Sequence, residues 1–352
     1  MDKKKRIKCI DLCKGLGILL VTWGHITKLG NPVDVWASSI KMPIFFIAAG
    51  YLICYTDSYR KMTLKEYAWK LLKSLGIPYV TFSIASIGFR FLSMVMKHAV
   101  DMAAIKSYIF ATISLRGVFA LWFLPVLLIA ELLFYCIVRY GNRWIWGVLP
   151  LILPISSVLL ESTIMNFKAA MAPLMFERVS FFMLTIGKII IALWFLQMGY
   201  LSCRLLQKIQ GKQVRFFIGI LFTGMNLVLS QKNLGVDLNN MALGESKILF
   251  FFCGVIGSLG ILLMFEFLEN YWSFHILNYF GKNSLILMCT QRPFYIISTA
   301  AAGWKIISGM PGVLAWRYYV DCTGILILVL IIEYSVITFM NTKGKFMLGK
   351  VE

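Results

Sequence analysis

Charged residues are scarce in this chain, and acidic residues are scarcer than basic ones. Asp, Glu, Lys and Arg together make up 14% of its 352 residues, whereas hydrophobic residues make up 59%. In a typical soluble domain about a quarter of the residues are charged. The low charge and the mean hydropathy of +0.78 exclude an ordinary soluble protein and indicate a chain that crosses a membrane several times.

Cysteine pairs at the spacings of a zinc site or a disulfide framework are also missing. The eight cysteines fall mostly inside or at the edges of apolar segments, and no two of them form a CxxC pair. Zinc sites and small disulfide-bonded domains depend on such spacings. We therefore expect buried or lipid-facing thiols and predict no metal site.

The sequence supports neither a nucleic-acid-binding protein nor a cleavable signal peptide. The net charge of +19 would suit a nucleic-acid-binding protein, but the basic residues lie in short runs between apolar segments. This distribution favours the anionic surface of a lipid bilayer as the partner, and no nucleic acid. The basic start MDKKKRIK leads into an apolar segment that contains Asp11 and Lys14 and has no small-residue cleavage site, so a cleavable signal peptide is not expected.

Apolar runs long enough to cross a bilayer as helices, about 20 residues each, occur ten times. We therefore predict an all-α, polytopic transmembrane helix bundle, formed by a single domain over residues 1–352 with no attached soluble domain. The run around 100–115 is more polar and is predicted to be an outer loop or an interfacial helix. The predicted spans are approximately 9–28, 38–56, 75–96, 118–139, 144–160, 180–203, 214–230, 247–267, 280–302 and 318–341.

Basic residues predict the orientation of the bundle. Ten spans place both termini on one side of the membrane, and most of the lysines and arginines fall on that side. They are concentrated in the N-terminal segment and in RKMTLKEYAWKLLK, which follows the second span. Because loops rich in Lys and Arg stay in the cytoplasm, we predict cytoplasmic termini and a multi-pass protein of the cell membrane, expected to be a bacterial plasma membrane.

The first predicted span carries three ionisable residues on one face. At about 100° per residue, Lys14 and His25 lie within roughly 20° of each other around the helix, and Asp11 lies within about 60°. An imidazole can take a proton from a hydroxyl and return it to a leaving group, as acyl transfer requires. The alternatives are an interior histidine with a hydrogen-bond partner and an intrahelical ion pair between Asp11 and Lys14.

Charged residues around the third and fourth spans extend the set of candidates. Lys70 and Lys73 lie one turn apart, where they either anchor to lipid headgroups or hold the phosphates of a nucleotide-bearing donor. Glu131 lies in the apolar LWFLPVLLIAELLFY and is either a site residue or half of an ion pair. Arg116 and Trp122 lie at the outer end of the same span.

Polar residues also occur in an outer loop and in the predicted ninth span. The loop 231–247, which contains Asn239, is rich in Asn, Asp and Gly and suits either a polyhydroxylated ligand or ordinary turns. In GKNSLILMCTQRPFYII (281–297), Gln291 and Arg292 lie deep in the span. Arg292 is expected either to snorkel outward or to face a cavity.

Taken in order, several of these segments resemble the membrane-bound acyltransferase family 3. They are RIKCIDLCKGLGILLVTWGH, KMPIFFIAAGYLI, the basic segment leading into IPYVTFS, LWFLPVLLIAELLFY, VDLNN and GKNSLILMCTQ. The resemblance extends over nearly the whole chain and is closest to members that are similar to fucose 4-O-acetylases and polysaccharide O-acetyltransferases. It implies transfer of an acyl group, usually acetyl from cytoplasmic acetyl-CoA, to a hydroxyl of an envelope glycan or a related acceptor.

The resemblance also implies roles for individual residues. His25 matches the family's first-span histidine and is expected to be catalytic, either as a general base or as a brief carrier of the acyl group. Asp11 matches the start of the family's Asp-x-x-Arg/Lys-Gly pattern and is expected to assist. Beyond the resemblance, we expect Glu131 or Arg116 to orient His25 or to stabilise developing charge. The expected donor contacts are Lys14, Lys70 and Lys73, although lysines replace the arginines of the family's basic pair and lack their bidentate fork. The residues expected to contact the acceptor or stabilise charge near it are Arg116, Trp122, Asn239, Arg292 and Gln291.

Two positions depart from the family's pattern. Many relatives have a histidine in the ninth span where this chain has Gln291, so a second titratable catalyst is not expected there. Ala49 replaces a hydroxyl residue in the motif IAAGY, which suggests packing at that position.

Two other functions remain open at the level of sequence. In a transporter or flippase for a polar or glycolipid substrate, Asp11, His25 and Glu131 would relay protons or bind cargo. Such proteins often contain inverted repeats, and none is apparent in this sequence. The other alternative is a catalytically silent membrane sensor or scaffold.

Overall fold

Long apolar runs fold as helices in a bilayer because a helix satisfies its own backbone polar groups. The computed structural model describes residues 7–27, 30–171, 173–308 and 315–350 and consists almost wholly of helices, which confirms the all-α prediction. The α-helices in these ranges are α1 (Lys8–Ile26), α2 (Pro32–Ile40), α3 (Pro43–Thr56), α4 (Ser58–Lys61), α5 (Leu64–Leu71), α6 (Ile77–Met96), α7 (Met102–Ile113), α8 (Phe123–Tyr140), α9 (Arg143–Ala170), α10 (Pro173–Leu206), α11 (Lys212–Ser230), α12 (Lys247–Leu268), α13 (His275–Lys282), α14 (Ser284–Thr290), α15 (Ile296–Ser308) and α16 (Ala315–Thr342).

Shorter elements connect some of these helices. A π-helical turn, Leu72–Gly76, joins α5 to α6. Short 3-10 helices cover Phe119–Trp122, Leu238–Asn240 and Lys345–Leu348. The strands β1 (Val236–Asp237) and β2 (Ala242–Leu243) pair as a small antiparallel hairpin in the loop between α11 and α12.

Nine segments of the described chain are helical, long and apolar enough to cross a membrane, and they correspond to nine of the ten predicted spans. The second, third and fifth are longer than predicted, and the predicted interfacial segment around 100–115 forms the short helix α7. The nine segments are Lys8–Ile26, Pro32–Thr56, Leu64–Met96, Phe119–Tyr140, Trp144–Ala170, Ser180–Leu206, Lys212–Ser230, Lys247–Leu268 and Trp316–Thr342. The chain is therefore a polytopic helical bundle.

The prediction of a continuous helix over 280–302 is wrong. The helix is interrupted between Thr290, where α14 ends, and Ile296, where α15 begins. Pro293 lies in the interruption and has no amide hydrogen to donate. Tyr295 has a φ of 58°, which takes the backbone out of the right-handed helical region.

The pieces of this interrupted span follow α1 along its whole length. Near the start of α1, Gly281 packs so closely on the Asp11 carbonyl that a Cβ would not fit there. Further along, Gln291 Nε2 donates a hydrogen bond of 2.7 Å to Thr22 Oγ1. Ile296 belongs to an apolar cluster that contacts Ile26, the last residue of α1. We call this interrupted segment, which runs beside α1, the ninth crossing after its predicted role.

Helices α3 and α10 cross at a reciprocal pair of glycines in the core. A Cβ on Gly50 would collide with the backbone of Leu196, and a Cβ on Gly199 would collide with the backbone of Ile47. Small residues of this kind let transmembrane helices approach closely and gain packing contacts. The crossing fixes α3, which supplies residues to one of the cavities described below.

Candidate active site

A cavity of about 340 Å³ lies at the His25 end of α1. Four of the predicted site residues line it, namely His25, Trp122, Asn239 and Arg292, and Lys41 joins them. We call it the outer cavity, because this end of α1 is predicted to lie on the outer side of the membrane. Residues from distant parts of the sequence therefore meet around His25.

Arg90 of α6 fixes the backbone that carries Arg292. Its Nη2 donates to the Arg292 carbonyl at 3.0 Å, and its Nε donates to the Pro293 carbonyl at 3.2 Å. The guanidinium also lies 3.8 Å from the centre of the Tyr295 ring. In a membrane, carbonyls at an interrupted helix need donors from neighbouring elements. Arg90 supplies them where Arg292 joins the wall of the outer cavity.

Lys188 of α10 lies behind the outer cavity and holds two of its wall residues. Its side chain is 1% exposed, and its Nζ donates to Asn239 Oδ1 at 3.0 Å. The same ammonium lies 4.4 Å from the centre of the Trp122 ring. A buried charge requires such partners to offset its lost hydration. Lys188 thus links the outer loop to the aromatic wall of the cavity.

The outer loop, residues 231–246, is an ordered wall rather than a series of plain turns. Asp237 Oδ1 accepts from the Asn239 amide at 3.0 Å, and Asp237 Oδ2 accepts from Asn240 Nδ2 at 2.7 Å. Glu161 of α9 fastens the hairpin, because its Oε1 accepts from Lys247 Nζ at 2.7 Å and from the Leu243 amide at 3.0 Å. Asn239 is therefore held at the cavity from two sides.

Besides Arg292, the wall of the outer cavity contains a second cationic side chain, Lys41, close to His25. Its Nζ donates to Ser38 Oγ at 2.8 Å and lies 4.0 Å from Asp34 Oδ1. A Cβ on Gly24 would meet this ammonium at 2.9 Å, so Lys41 lies against the residue that precedes His25. The outer cavity thus has cationic side chains next to the imidazole.

A second cavity, of about 180 Å³, contains Lys14, Lys70 and Glu131 in its wall. We call it the inner cavity. Glu131 accepts a hydrogen bond of 2.9 Å from the Tyr67 hydroxyl, and Tyr67 also lines the cavity. Two predicted donor contacts therefore lie together here. In the structure the hydrogen-bond partner of Glu131 is Tyr67. Glu131 and His25 line different cavities.

The inner and outer cavities share two wall residues, Phe123 of α8 and Met288 of α14. Helix α1 contributes to both, with Lys14 in the inner cavity and His25 in the outer one. Eleven residues of helix correspond to about 16 Å. The polar face predicted for α1 therefore runs past two cavities that adjoin at Phe123 and Met288.

Lys73 belongs to a third cavity rather than to the inner one. This cavity, of about 270 Å³, is lined by three lysines, Lys73, Lys282 and Lys350, and we call it the basic cavity. Leu285 lines both the basic and the inner cavity, so the two adjoin. The π-helical turn begins between Lys70 and Lys73, and the two lysines line different cavities.

Three predicted site residues lie elsewhere among the described residues. Asp11 is 5% exposed and lies where α1 crosses α13. Gln291 is buried and donates to Thr22, as described above. The Arg116 guanidinium lies 4.4 Å from the centre of the Phe181 ring. The structure does not bring these three residues into the walls of the three cavities.

Sequence reasoning missed Arg90, Lys188 and Glu333. Glu333 of α16 is fully buried and accepts from Thr290 Oγ1 at 2.8 Å, beside the interruption of the ninth crossing. All three residues are ionisable and lie inside apolar runs, which is by itself a reason to suspect a functional or structural site. That signal was present in the sequence.

Comparison with known proteins adds one finding. A family model described as an acyltransferase domain matches residues 7–338 of the chain. No curated protein and no solved structure matches it. The matched range contains the wall residues of the inner and outer cavities, and it ends before Leu348, Gly349 and Lys350 of the basic cavity.

Proposed function

Since this chain belongs to acyltransferase family 3, we propose that it transfers an acyl group, acetyl in particular, from cytoplasmic acyl-CoA to a hydroxyl of an envelope glycan or a related acceptor. The family and the apolar helices make the chain a multi-pass membrane acyltransferase. The donor, the acyl group and the acceptor are the proposed parts. These proposed parts are supported by one observation, which is that the inner and outer cavities adjoin at Phe123 and Met288.

The inner cavity is the proposed site of the acyl arm of the donor. Most of its wall is apolar, with Phe45, Leu124 and Leu127 among its residues, which suits a thioester-bearing chain. Lys14 and Lys70 supply positive charge in the same wall. In this proposal the thioester carbonyl is held near the junction of the two cavities.

The outer cavity is the proposed acceptor site. Asn239 and Asn240 offer amide groups for the hydroxyls of a glycan, and Trp122 offers an aromatic wall. His25 takes the proton of one hydroxyl as that oxygen attacks the thioester carbonyl carbon. The carbon–sulfur bond then breaks, and His25 returns the proton to the sulfur, so that the products are the ester and free CoA. In this proposal Arg292 stabilises the oxyanion between the two steps.

Membranes that contain the chain, incubated with acetyl-CoA labelled in the acetyl group, test this proposal. We expect covalent label on a membrane or envelope acceptor, whereas a transporter would deposit none. His25→Ala is expected to lower the transfer at least about 100-fold, because general acid–base catalysis contributes that much. His98→Ala is the control, since His98 is exposed and does not line any of the three cavities.

Two results would contradict the proposal. One is a His25→Ala protein that inserts normally and retains full transfer. The other is an absence of labelled acceptor together with movement of an unmodified substrate across the membrane. Mass spectrometry of envelope glycans from cells with and without the gene would identify the modified sugar and the mass added.

A further inference from the structure

We propose that the basic cavity binds the phosphorylated nucleotide end of the acyl donor and that the C-terminal segment, residues 345–350, forms one wall of this site. The inference rests on the proposed function, because it assigns a place to the charged end of the same donor. It adds Lys282 and Lys350, which lie outside the residues suggested by the sequence.

Three lysines from distant parts of the chain converge on the basic cavity. Lys73 comes from the π-helical turn, Lys282 from the end of α13 and Lys350 from the C-terminal segment. Ser74 and Asn283 add a hydroxyl and an amide to the described wall, which contains no carboxylate. Like charges in the wall of one cavity repel one another, so an arrangement of this kind favours a ligand with several negative charges. Lysine ammonium groups are common ligands of phosphate.

The C-terminal wall of the basic cavity is fastened to the bundle. Thr81 Oγ1 of α6 donates to the Met347 carbonyl at 2.9 Å. Leu348 is 7% exposed. Gly349 has a φ of 65° and packs on the Lys73 carbonyl so closely that a Cβ would not fit. Lys350 therefore follows a segment with a defined position rather than a free tail.

A chain of amide contacts places Lys350 beside the other polar wall residues. Lys350 Nζ donates to Asn341 Oδ1 at 3.3 Å, and Asn341 Nδ2 donates to Asn283 Oδ1 at 2.9 Å. Asn283 immediately follows Lys282 in the sequence and lines the same cavity. These contacts tie the C-terminal segment, α16 and the α13–α14 corner to one another.

The basic cavity adjoins the proposed place of the acyl arm. Leu285 lines the basic and inner cavities, and its neighbour Ser284 lines the inner one. In this proposal the phosphates of the donor lie among the three lysines, and its acyl arm extends past Leu285 toward Glu131. The family match ends at residue 338, so the wall formed by residues 345–350 lies beyond the part of the chain that the match describes.

The test uses a double variant that carries both Lys282→Gln and Lys350→Gln, and it compares two acyl donors. Acetyl-CoA carries the phosphorylated nucleotide, and acetyl-pantetheine lacks it. We expect the KM for acetyl-CoA to rise about tenfold or more, because hydrogen bonds to charged groups contribute that much, and kcat to stay unchanged. The KM for acetyl-pantetheine should not change. The matched control is Lys208→Gln with Lys343→Gln, two exposed lysines that do not line the basic cavity.

A binding measurement makes the result independent of turnover. Titration of the protein in zwitterionic nanodiscs with CoA should show about tenfold weaker binding for the double variant and no change for the control. Equal CoA affinity in the double variant and the wild type would overturn the inference. So would an effect confined to anionic lipid, since the lysines would then anchor headgroups. Failure of the wild type to acylate any acceptor, with CoA binding intact, would count against the proposed function instead.

Discussion

Phe123 and Met288 are the two residues that the walls of the inner and outer cavities have in common. Phe123 begins α8, and Met288 lies in α14 of the interrupted crossing. A thioether chain is flexible, whereas a phenyl ring moves as one rigid unit. The junction where donor and acceptor are proposed to meet therefore combines an adaptable side with a rigid side.

Filling this junction should impair transfer more than binding. Met288→Trp is expected to lower kcat by about tenfold or more, because small displacements of reacting groups are costly, with little change in the affinity for CoA. Transfer of labelled acetyl and CoA titration measure the two quantities. Met96→Trp is the matched control, since Met96 is 74% exposed on α6. Wild-type kcat in the Met288→Trp protein would show that the acyl group does not pass this point.

Arg90 should matter for acceptor use although it does not line the outer cavity. Arg90→Lys keeps the charge but loses the fork that serves the Arg292 and Pro293 carbonyls. We expect kcat/KM for the acceptor to fall about tenfold, as loss of one or two hydrogen bonds from a charged donor would cause, while the KM for acyl-CoA stays constant. Arg60→Lys is the control at an exposed arginine. Equal losses for donor and acceptor would instead indicate general misfolding.

Lys188 should affect the acceptor through Asn239. Lys188→Met removes the donor that Asn239 Oδ1 accepts from, and it leaves the Trp122 ring without its cation. We expect the KM for the acceptor to rise about tenfold, in line with about 1.5 kcal/mol or more for a hydrogen bond to a charged group. The measurement is the acceptor dependence of transfer at saturating donor. Lys168→Met, at an exposed position of α9, should leave it unchanged.

Two glycine substitutions should have opposite effects on stability. Gly281→Ala places a methyl group against the Asp11 carbonyl, so α13 has to move away from α1. We expect a loss of about 1–3 kcal/mol, typical of overpacking. Gly88→Ala in α6 meets nothing within 4 Å and should stabilise the helix by about 0.5–1 kcal/mol. Thermal inactivation in detergent compares the two proteins. A stable Gly281→Ala protein would contradict the close helix crossing.

Helix positions could be predicted from the sequence because hydropathy is a local property. Nine of the ten apolar runs correspond to helical segments long enough to span a membrane, although the second, third and fifth segments extend six to eleven residues beyond the predicted bounds. The interruption at Gln291–Tyr295 could not be predicted in this way. The surrounding run is apolar enough for a continuous span. The groups that donate hydrogen bonds to the carbonyls at the break belong to Arg90 of α6, about 200 residues earlier.

The site could be predicted only in part for the same reason. His25, Trp122, Asn239 and Arg292 were suggested by polar residues in apolar surroundings and by family resemblance, and the structure places them in one cavity. Lys70 and Lys73 look like a pair in the sequence, but they line different cavities. Periodicity reports which residues share a face of an ideal helix. It does not report a π-helical turn or the C-terminal segment that returns to Lys73.

The contact of Arg90 with the interrupted crossing has a consequence for biogenesis. Arg90 and Arg292 are 202 positions apart, so the third crossing is synthesised long before the carbonyls that it serves. In hydrocarbon, a carbonyl without a donor costs several kcal/mol. The ninth crossing therefore completes its hydrogen bonding only when it docks against the third, which acts as its template. The full set of hydrogen bonds at the interruption therefore requires packing of the two crossings as well as insertion of each helix.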